Sequence, residues 1–274
     1  APPPRQAAAP VETPAEVWQE AVEAAKAGDL AKAAAAYQRY YEKFRESEQA
    51  EEALWQAAQS LKQLAVKSPA PEWDKVRDIF RRYGADFPKA KRAPEAYYEV
   101  GYAHYRMRFH REALIYFKLF LARYPDSPLR DRARLAQADT LFAVGKVAEA
   151  LDIYKKVSES GDDEIKAKAL MGLGELMAAS KDPVGALKTF AMLFEKYPDY
   201  HHRDPELLRK LGFVYLRVGR EEDGRNSLFH YLNLAENSSD RGEILFELGE
   251  SYLRGGDGRT ALKLYERILE DGAR

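Results

Sequence analysis

The chain has 274 residues, of which 46% are hydrophobic and 32% are charged, and its formal net charge is −1. The balance between 43 basic and 44 acidic residues gives no electrostatic reason to expect nucleic acid or an anionic membrane surface as a partner. The absence of cysteine excludes disulfides, thiolate metal sites and cysteine nucleophiles. No apolar run approaches the roughly 20 residues that a membrane-spanning helix needs.

The chain begins with the proline-rich segment APPPRQAAAPVETP, which has no apolar stretch typical of a signal peptide. Proline removes backbone donors and favours extended chain, so residues 1–14 are expected to form a disordered Ala/Pro-rich linker. Two explanations of this start remain open. Either the chain follows a removed signal peptide or lipid anchor, or it begins at an internal cut.

The rest of the chain repeats one unit of 36–38 residues. Small residues recur at a first position and again twelve residues later, and an apolar residue follows four residues after the second. Gly101, Ala138, Gly174, Gly212 and Gly249 occupy the first position, and Ala113, Ala150, Ala186, Gly224 and Ala261 the second. Apolar residues at spacings of three and four indicate amphipathic helices, and a fixed period of this size indicates a solenoid of helix pairs.

Two of the units resemble the tetratricopeptide repeat (TPR) family closely. The family pattern places apolar, Leu, Gly and Tyr residues on the first helix and Ala, Phe, Ala and Pro on the second. One unit follows this pattern at Tyr97, Val100, Gly101, His104, Ala113, Phe117, Phe120 and Pro125. The other follows it at Leu170, Leu173, Gly174, Met177, Ala186, Phe190, Leu193 and Pro198.

The resemblance implies an all-α fold, a right-handed α-solenoid of about seven TPR helix-turn-helix repeats that spans residues 15–274. Fourteen helices are expected, with only a loop between consecutive repeats. The predicted repeats are approximately residues 15–50, 51–92, 93–129, 130–165, 166–203, 204–240 and 241–274.

The length of the units and the ending Tyr124-Pro-Asp-Ser-Pro128 are similar to a bacterial envelope subgroup of this family, which includes BamD-like and CpoB-like proteins. This resemblance implies a periplasmic or envelope-associated scaffold, in an outer-membrane assembly, Tol-Pal or secretion and motility complex. A cytoplasmic regulatory or assembly adaptor on the same fold is the alternative. A signal peptide or lipidated cysteine upstream of Ala1 would separate the two.

No set of residues with catalytic spacing is apparent. The glycines at 255–258 lack the Lys-Ser/Thr of a phosphate-binding loop, and the carboxylates fall on charged helix faces. His201 and His202 are expected in a solvated polar loop, and His230 exposed on a second helix. We therefore predict a protein that is not an enzyme and has no cofactor and no metal site.

Function is expected on the first helices, which line the concave face of such a solenoid. Their residues opposite the packing stripe are rich in aromatic side chains, which are typical anchors for a protein or peptide partner. The predicted groove consists of Trp55, Tyr98, Tyr102, Tyr105, Leu135, Phe142, Met171, Arg209, Phe213, Leu216 and Phe246. Arg106 and Arg217 are further charged candidates. The alternative is that these side chains pack between neighbouring repeats.

Two specific kinds of partner can be considered. Co-chaperone TPR domains grip an acidic C-terminus with Lys and Asn, but the corresponding positions here hold Trp55/Gln59, Tyr98/Tyr102 and Leu135/Asp139. A Hsp70/Hsp90 adaptor is therefore not expected. At the other end, the last helix has an apolar side with no following repeat. We expect the protein to continue beyond Arg274, the alternatives being that this end docks a partner or self-associates.

Overall fold

The computed structural model describes residues 12–235 and 238–272, and all regular structure within these residues is helical, with no strand. Each helix lies close in sequence to the next. The helices are α1 (Pro14–Lys26), α2 (Leu30–Lys43), α3 (Ala50–Lys67), α4 (Trp73–Asp86), α5 (Ala93–Arg106), α6 (His110–Arg123), α7 (Arg130–Ala143), α8 (Val147–Glu159), α9 (Asp163–Ala179), α10 (Pro183–Lys196), α11 (Tyr200–Arg203), α12 (Glu206–Arg217), α13 (Glu221–Leu234), α14 (Arg241–Arg254) and α15 (Gly258–Gly272).

The long helices form seven consecutive pairs, and α11 stands between the fifth and sixth pairs. The expectation of a loop at this place is wrong, because four residues there form a helical turn. Tyr200 explains the difference. Its side chain is buried in the cluster that contains Leu193 and Leu207, so the connecting segment is fixed against the helices on both sides of it.

Side-chain caps decide where two of the helices begin. The predicted linker falls mostly on residues 1–11, which lie outside the described residues, and α1 already includes Pro14. It begins there because the Thr13 hydroxyl accepts a hydrogen bond from the backbone N–H three residues further on, at 3.3 Å. Similarly, α9 begins ahead of the predicted boundary at residue 166, because the Asp162 carboxylate caps its first turn.

The chain forms two compact units, which divide between Thr140 and Leu141 within α7. The spacing of the repeats does not indicate this division. In the first unit the largest buried side chains include Tyr40 and Phe80, and in the second they include Phe190. Within each unit, helices that follow one another in sequence pack together, so each pair buries its apolar faces against its neighbours.

Glycine brings the two helices of several pairs close together. The fully buried ring of Phe190 on α10 covers Gly174 on α9, and a Cβ atom on this glycine would lie 2.6 Å from the ring. Gly101, Gly212 and Gly249 face Phe117, Leu228 and Tyr265 in the same way, so in these four repeats the glycine leaves the space that the large residue of the second helix fills.

Six of the seven pairs turn through one residue with positive φ. Four of these residues are glycine, whereas Arg108 and Lys181 occupy the position in the third and fifth pairs, each with a φ of 63°. None of the helices in the described ranges combines the length and the apolarity that crossing a membrane requires.

Candidate peptide-binding site

Three residues of the predicted groove are buried and offer no surface to a partner. Trp55 and Tyr98 are each 6% exposed and Leu135 is 7% exposed. The expectation that they line an open groove is therefore wrong. All three occupy the same position on the first helices of their repeats, and this position faces the interior. The alternative stated above, that these side chains pack inside the solenoid, applies to them.

The contacts of two of these residues explain the burial. Trp55 packs edge-on against Tyr83, with 5.1 Å between ring centroids, and the guanidinium of Arg92 lies over its ring. Tyr98 shares a cluster with Phe120 and with Ala133 at the start of the next repeat. Burial is the main reason why the pKa of Tyr98 lies far above its usual value.

Two other predicted residues of the first unit lie half-buried on α5. Tyr102 meets Trp73 edge-on, with 5.7 Å between ring centroids, and the Arg106 guanidinium lies 4.5 Å from the Trp73 ring. Tyr105 contacts the His110 ring. Each of these aromatic side chains therefore already packs on a neighbour within the first compact unit.

The second unit contains a cavity of about 280 Å³ between α9 and α12, which we call the α9–α12 pocket. It brings together three members of the predicted groove, Phe142, Arg209 and Phe213. The complete lining consists of these three and Glu175, Ala178, Ala179, Phe190, Lys210, Val214, Arg217 and Glu243. The rings of Phe142 and Phe213 and small aliphatic groups make its interior apolar, the fully buried ring of Phe190 lies beneath them, and charged groups surround it.

Two of the cations at the pocket are neutralised within the protein. Lys210 forms an ion pair with Glu175 on the neighbouring first helix. Arg209 binds Glu206 at 2.7 Å and Asp240 at 3.3 Å. Burial, the largest influence, lowers the pKa of Arg209, but the hydrogen bond that it donates to Glu206 and the charges of Glu206 and Asp240 raise it overall. Neither cation has its charge available for a ligand without breaking a pair.

Arg217 differs from these two cations. Its Nη1 donates a hydrogen bond to the carbonyl oxygen of Ala178 at 2.6 Å, and no described carboxylate forms an ion pair with it. The side chain is exposed, so a ligand in the pocket can reach its other N–H groups. Glu243, also exposed, supplies a negative charge to the same lining.

The remaining predicted residues are not part of the pocket. Met171 packs on the core between α9 and α12, and Leu216 packs on the core around Leu228. Phe246 is 50% exposed and lies beside the Tyr265 ring, with 5.8 Å between centroids. The predicted groove is therefore distributed over several environments, and one part of it forms a cavity.

Sequence reasoning missed several lining residues, including Phe190 and Glu243. The repeat pattern places Phe190 on a second helix, away from the predicted groove. Glu243 stands three residues before Phe246, on a helical row that the prediction did not include. That offset places both residues on the same helix face and could have identified it.

The comparisons with known proteins agree with this architecture. Models of the tetratricopeptide repeat match residues 135–201, 95–127 and 243–271. No curated protein is similar enough in sequence to match this chain.

Solved structures are similar in fold at low sequence identity. A tetratricopeptide repeat protein from Parabacteroides merdae has 12% identity and a TM-score of 0.68, with 94% of this chain and 92% of that chain covered. The apo form of RapI has 14% identity and a TM-score of 0.67, covering 94% and 96%. BtubC from P. vanneervenii has 16% identity and a TM-score of 0.58, covering 73% and 88%. Residues 95–127, 135–201 and 243–271 are therefore tetratricopeptide repeats, and the described chain has the fold of a TPR solenoid.

Proposed function

We propose that the protein is a non-catalytic interaction scaffold, and that it binds a segment of a protein partner at the α9–α12 pocket. The TPR fold is suited to this role, because stacked helix pairs present extended surfaces to partners. The observation that carries the proposal is an apolar cavity lined by the half-buried rings of Phe142 and Phe213, beside a guanidinium that no described carboxylate neutralises.

The lining indicates what such a segment would contain. A cavity of about 280 Å³ accommodates one large apolar or aromatic side chain and little more. Arg217 can donate hydrogen bonds to an acceptor next to that side chain, either a backbone carbonyl or a carboxylate. The ligand is therefore a peptide with an apolar anchor and an adjacent acceptor.

The proposal is tested with peptides selected from a phage-displayed library of random linear sequences on the unmodified protein. Their affinities for the unmodified protein, Phe213→Ala, Arg217→Ala and Phe246→Ala are measured by fluorescence anisotropy. Phe213→Ala and Arg217→Ala should each weaken binding about tenfold, since each removes about 1.4 kcal/mol of contact energy. Phe246→Ala is the matched control, an exposed phenylalanine outside the pocket.

The affinities of the four proteins either support the α9–α12 pocket as the binding site or exclude it. The pocket is not the binding site if no peptide is enriched, or if the enriched peptides bind all four proteins equally. Thermal unfolding of each variant by circular dichroism shows whether it has kept its fold, because Phe213 is half-buried.

We further propose that the scaffold belongs to a bacterial envelope complex and is periplasmic or envelope-associated. Repeats of 36–38 residues and the ending Tyr124-Pro-Asp-Ser-Pro128 support this location. Fractionation of source cells, with an antibody against the chain, tests it. Recovery in the cytoplasmic fraction would favour the adaptor instead and would leave the α9–α12 pocket unaffected.

A further inference from the structure

Three of the five histidines lie side by side in the second unit. His201 and His202 belong to α11, which joins the fifth repeat to the sixth, and His230 lies on α13. The His201 ring centroid lies 4.0 Å from that of His202 and 5.5 Å from that of His230. The centroids of His202 and His230 are 6.3 Å apart. We call these three residues the histidine cluster. It links the connecting segment to the second helix of the sixth repeat.

Little negative charge faces the histidine cluster. Phe194 of α10 packs on the His201 ring, with 5.8 Å between centroids. Asp199 is a carboxylate whose charge favours the protonated form of His201. Asp204 accepts a hydrogen bond from the Tyr200 hydroxyl and keeps its charge, whereas Glu206 is neutralised by Arg209. Positive charge on all three imidazoles would therefore be compensated only in part.

Protonation of His201 is disfavoured in the folded protein. Burial and the charge of His202 lower the pKa of this ring, and His230 acts in the same direction, while the Pro198 carbonyl and Asp199 oppose them. The folded protein thus binds the proton less readily than the unfolded chain. The resulting stability is fully present above the unfolded histidine pKa, about 6.5, and is lost as the pH falls towards the lower folded value.

Protons are a better match to the histidine cluster than a metal ion. Imidazole is a common metal ligand, but in the described part of the chain no group of three or more His, Asp or Glu side chains is arranged to hold a metal. Close packing of neutral rings, with one ring partly buried, needs no ion to hold it.

We propose that the histidine cluster is an acid-sensitive latch. When its rings are neutral, they pack together and hold α11 against α13. When they are protonated, like charges at these separations repel one another and release α11. The latch acts on the joint between the fifth and sixth repeats, and it does not depend on whether the α9–α12 pocket binds a peptide.

Native-state hydrogen exchange, followed by mass spectrometry, measures the latch directly. Residues 198–209 and 221–234 of the unmodified protein are compared at about pH 7.5 and about pH 5.5, after correction for intrinsic exchange rates. The opening equilibrium constant of these segments should rise about tenfold at the lower pH, because repulsion between the protonated rings favours the open state.

Two variants and one control identify the groups responsible. His230→Gln and His202→Gln each replace an imidazole ring with an amide that cannot be protonated, and both positions are exposed enough to accept it. Either variant should limit the rise to about threefold or less. His110→Gln, in the first unit, should leave the tenfold rise intact. The proposal is overturned if the unmodified protein shows no rise, or if both variants show the same rise as the unmodified protein.

Discussion

Gly174 and Gly84 are helical glycines with opposite surroundings. A Cβ atom on Gly174 would lie 2.6 Å from the buried Phe190 ring, whereas a Cβ on Gly84 would meet nothing within 4 Å. Gly174→Ala should lower the free energy of unfolding by about 1–3 kcal/mol, because the packed ring cannot retreat without strain. Gly84→Ala should raise it by about 0.5–1 kcal/mol through reduced backbone entropy of the unfolded chain.

Urea unfolding of both variants, followed by circular dichroism, checks these opposite signs. Gly84→Ala is the matched control, since it makes the same chemical change in a helix without the contact. If Gly174→Ala were neutral, the ring and the two helices would have to adjust more freely than a close-packed interior allows.

Single residues also show where the sequence misleads. Trp55, Tyr98 and Leu135 have the chemistry of interface anchors, but all three are buried. Trp55 packs on Tyr83 of its own repeat, and Tyr98 packs on Phe120 of its own repeat and shares a cluster with Ala133 of the next. Helical periodicity identifies which residues share a face. It does not say how much of that face the neighbouring helices cover, because this depends on the angles and distances at which successive helices pack.

At the scale of elements, the turns within the pairs offer a further prediction. Arg108 and Lys181 adopt a left-handed conformation that costs a non-glycine residue roughly 1–2 kcal/mol. Arg108→Gly and Lys181→Gly should each raise the free energy of unfolding by about 0.5–1 kcal/mol, after the greater freedom of the unfolded chain is subtracted. Gly145→Ala, at the equivalent turn, should lower it.

Denaturant titration of these three variants provides the measurement. Both cationic side chains are exposed, so their removal leaves no cavity. A loss of stability in either glycine variant would mean that the side chain makes a contact worth more than the backbone strain.

The repeat pattern predicts the helix pairs but not every helix of the fold. The all-helical fold and the helix pairs follow from small residues at a fixed period, because each pair needs one close approach and one large side chain to fill it. The short helix α11 does not follow from the pattern. It exists because Tyr200 is buried, and His201 and His202 meet His230 only once the sixth repeat has packed.

For the whole molecule, the sequence predicts the repeats but not the boundary between the two compact units. Repeats of similar length follow one another along the chain, yet the contacts separate the chain into two compact units within α7. The candidate site shows the same limit. Phe142, Arg209 and Phe213 are predicted from periodicity, but the cavity that joins them requires side chains from several helices and could be located only in the folded structure.

The packing of helices against their sequence neighbours also has a consequence for biosynthesis. Because the principal contacts join successive helices, little of the chain must be present before a given pair can bury its apolar faces. Proteins with such local contacts fold quickly, since few long loops have to close. A chain leaving the ribosome can therefore complete α1 and α2 before α5 has been synthesised. Each new helix can then pack on the apolar face of the helix before it.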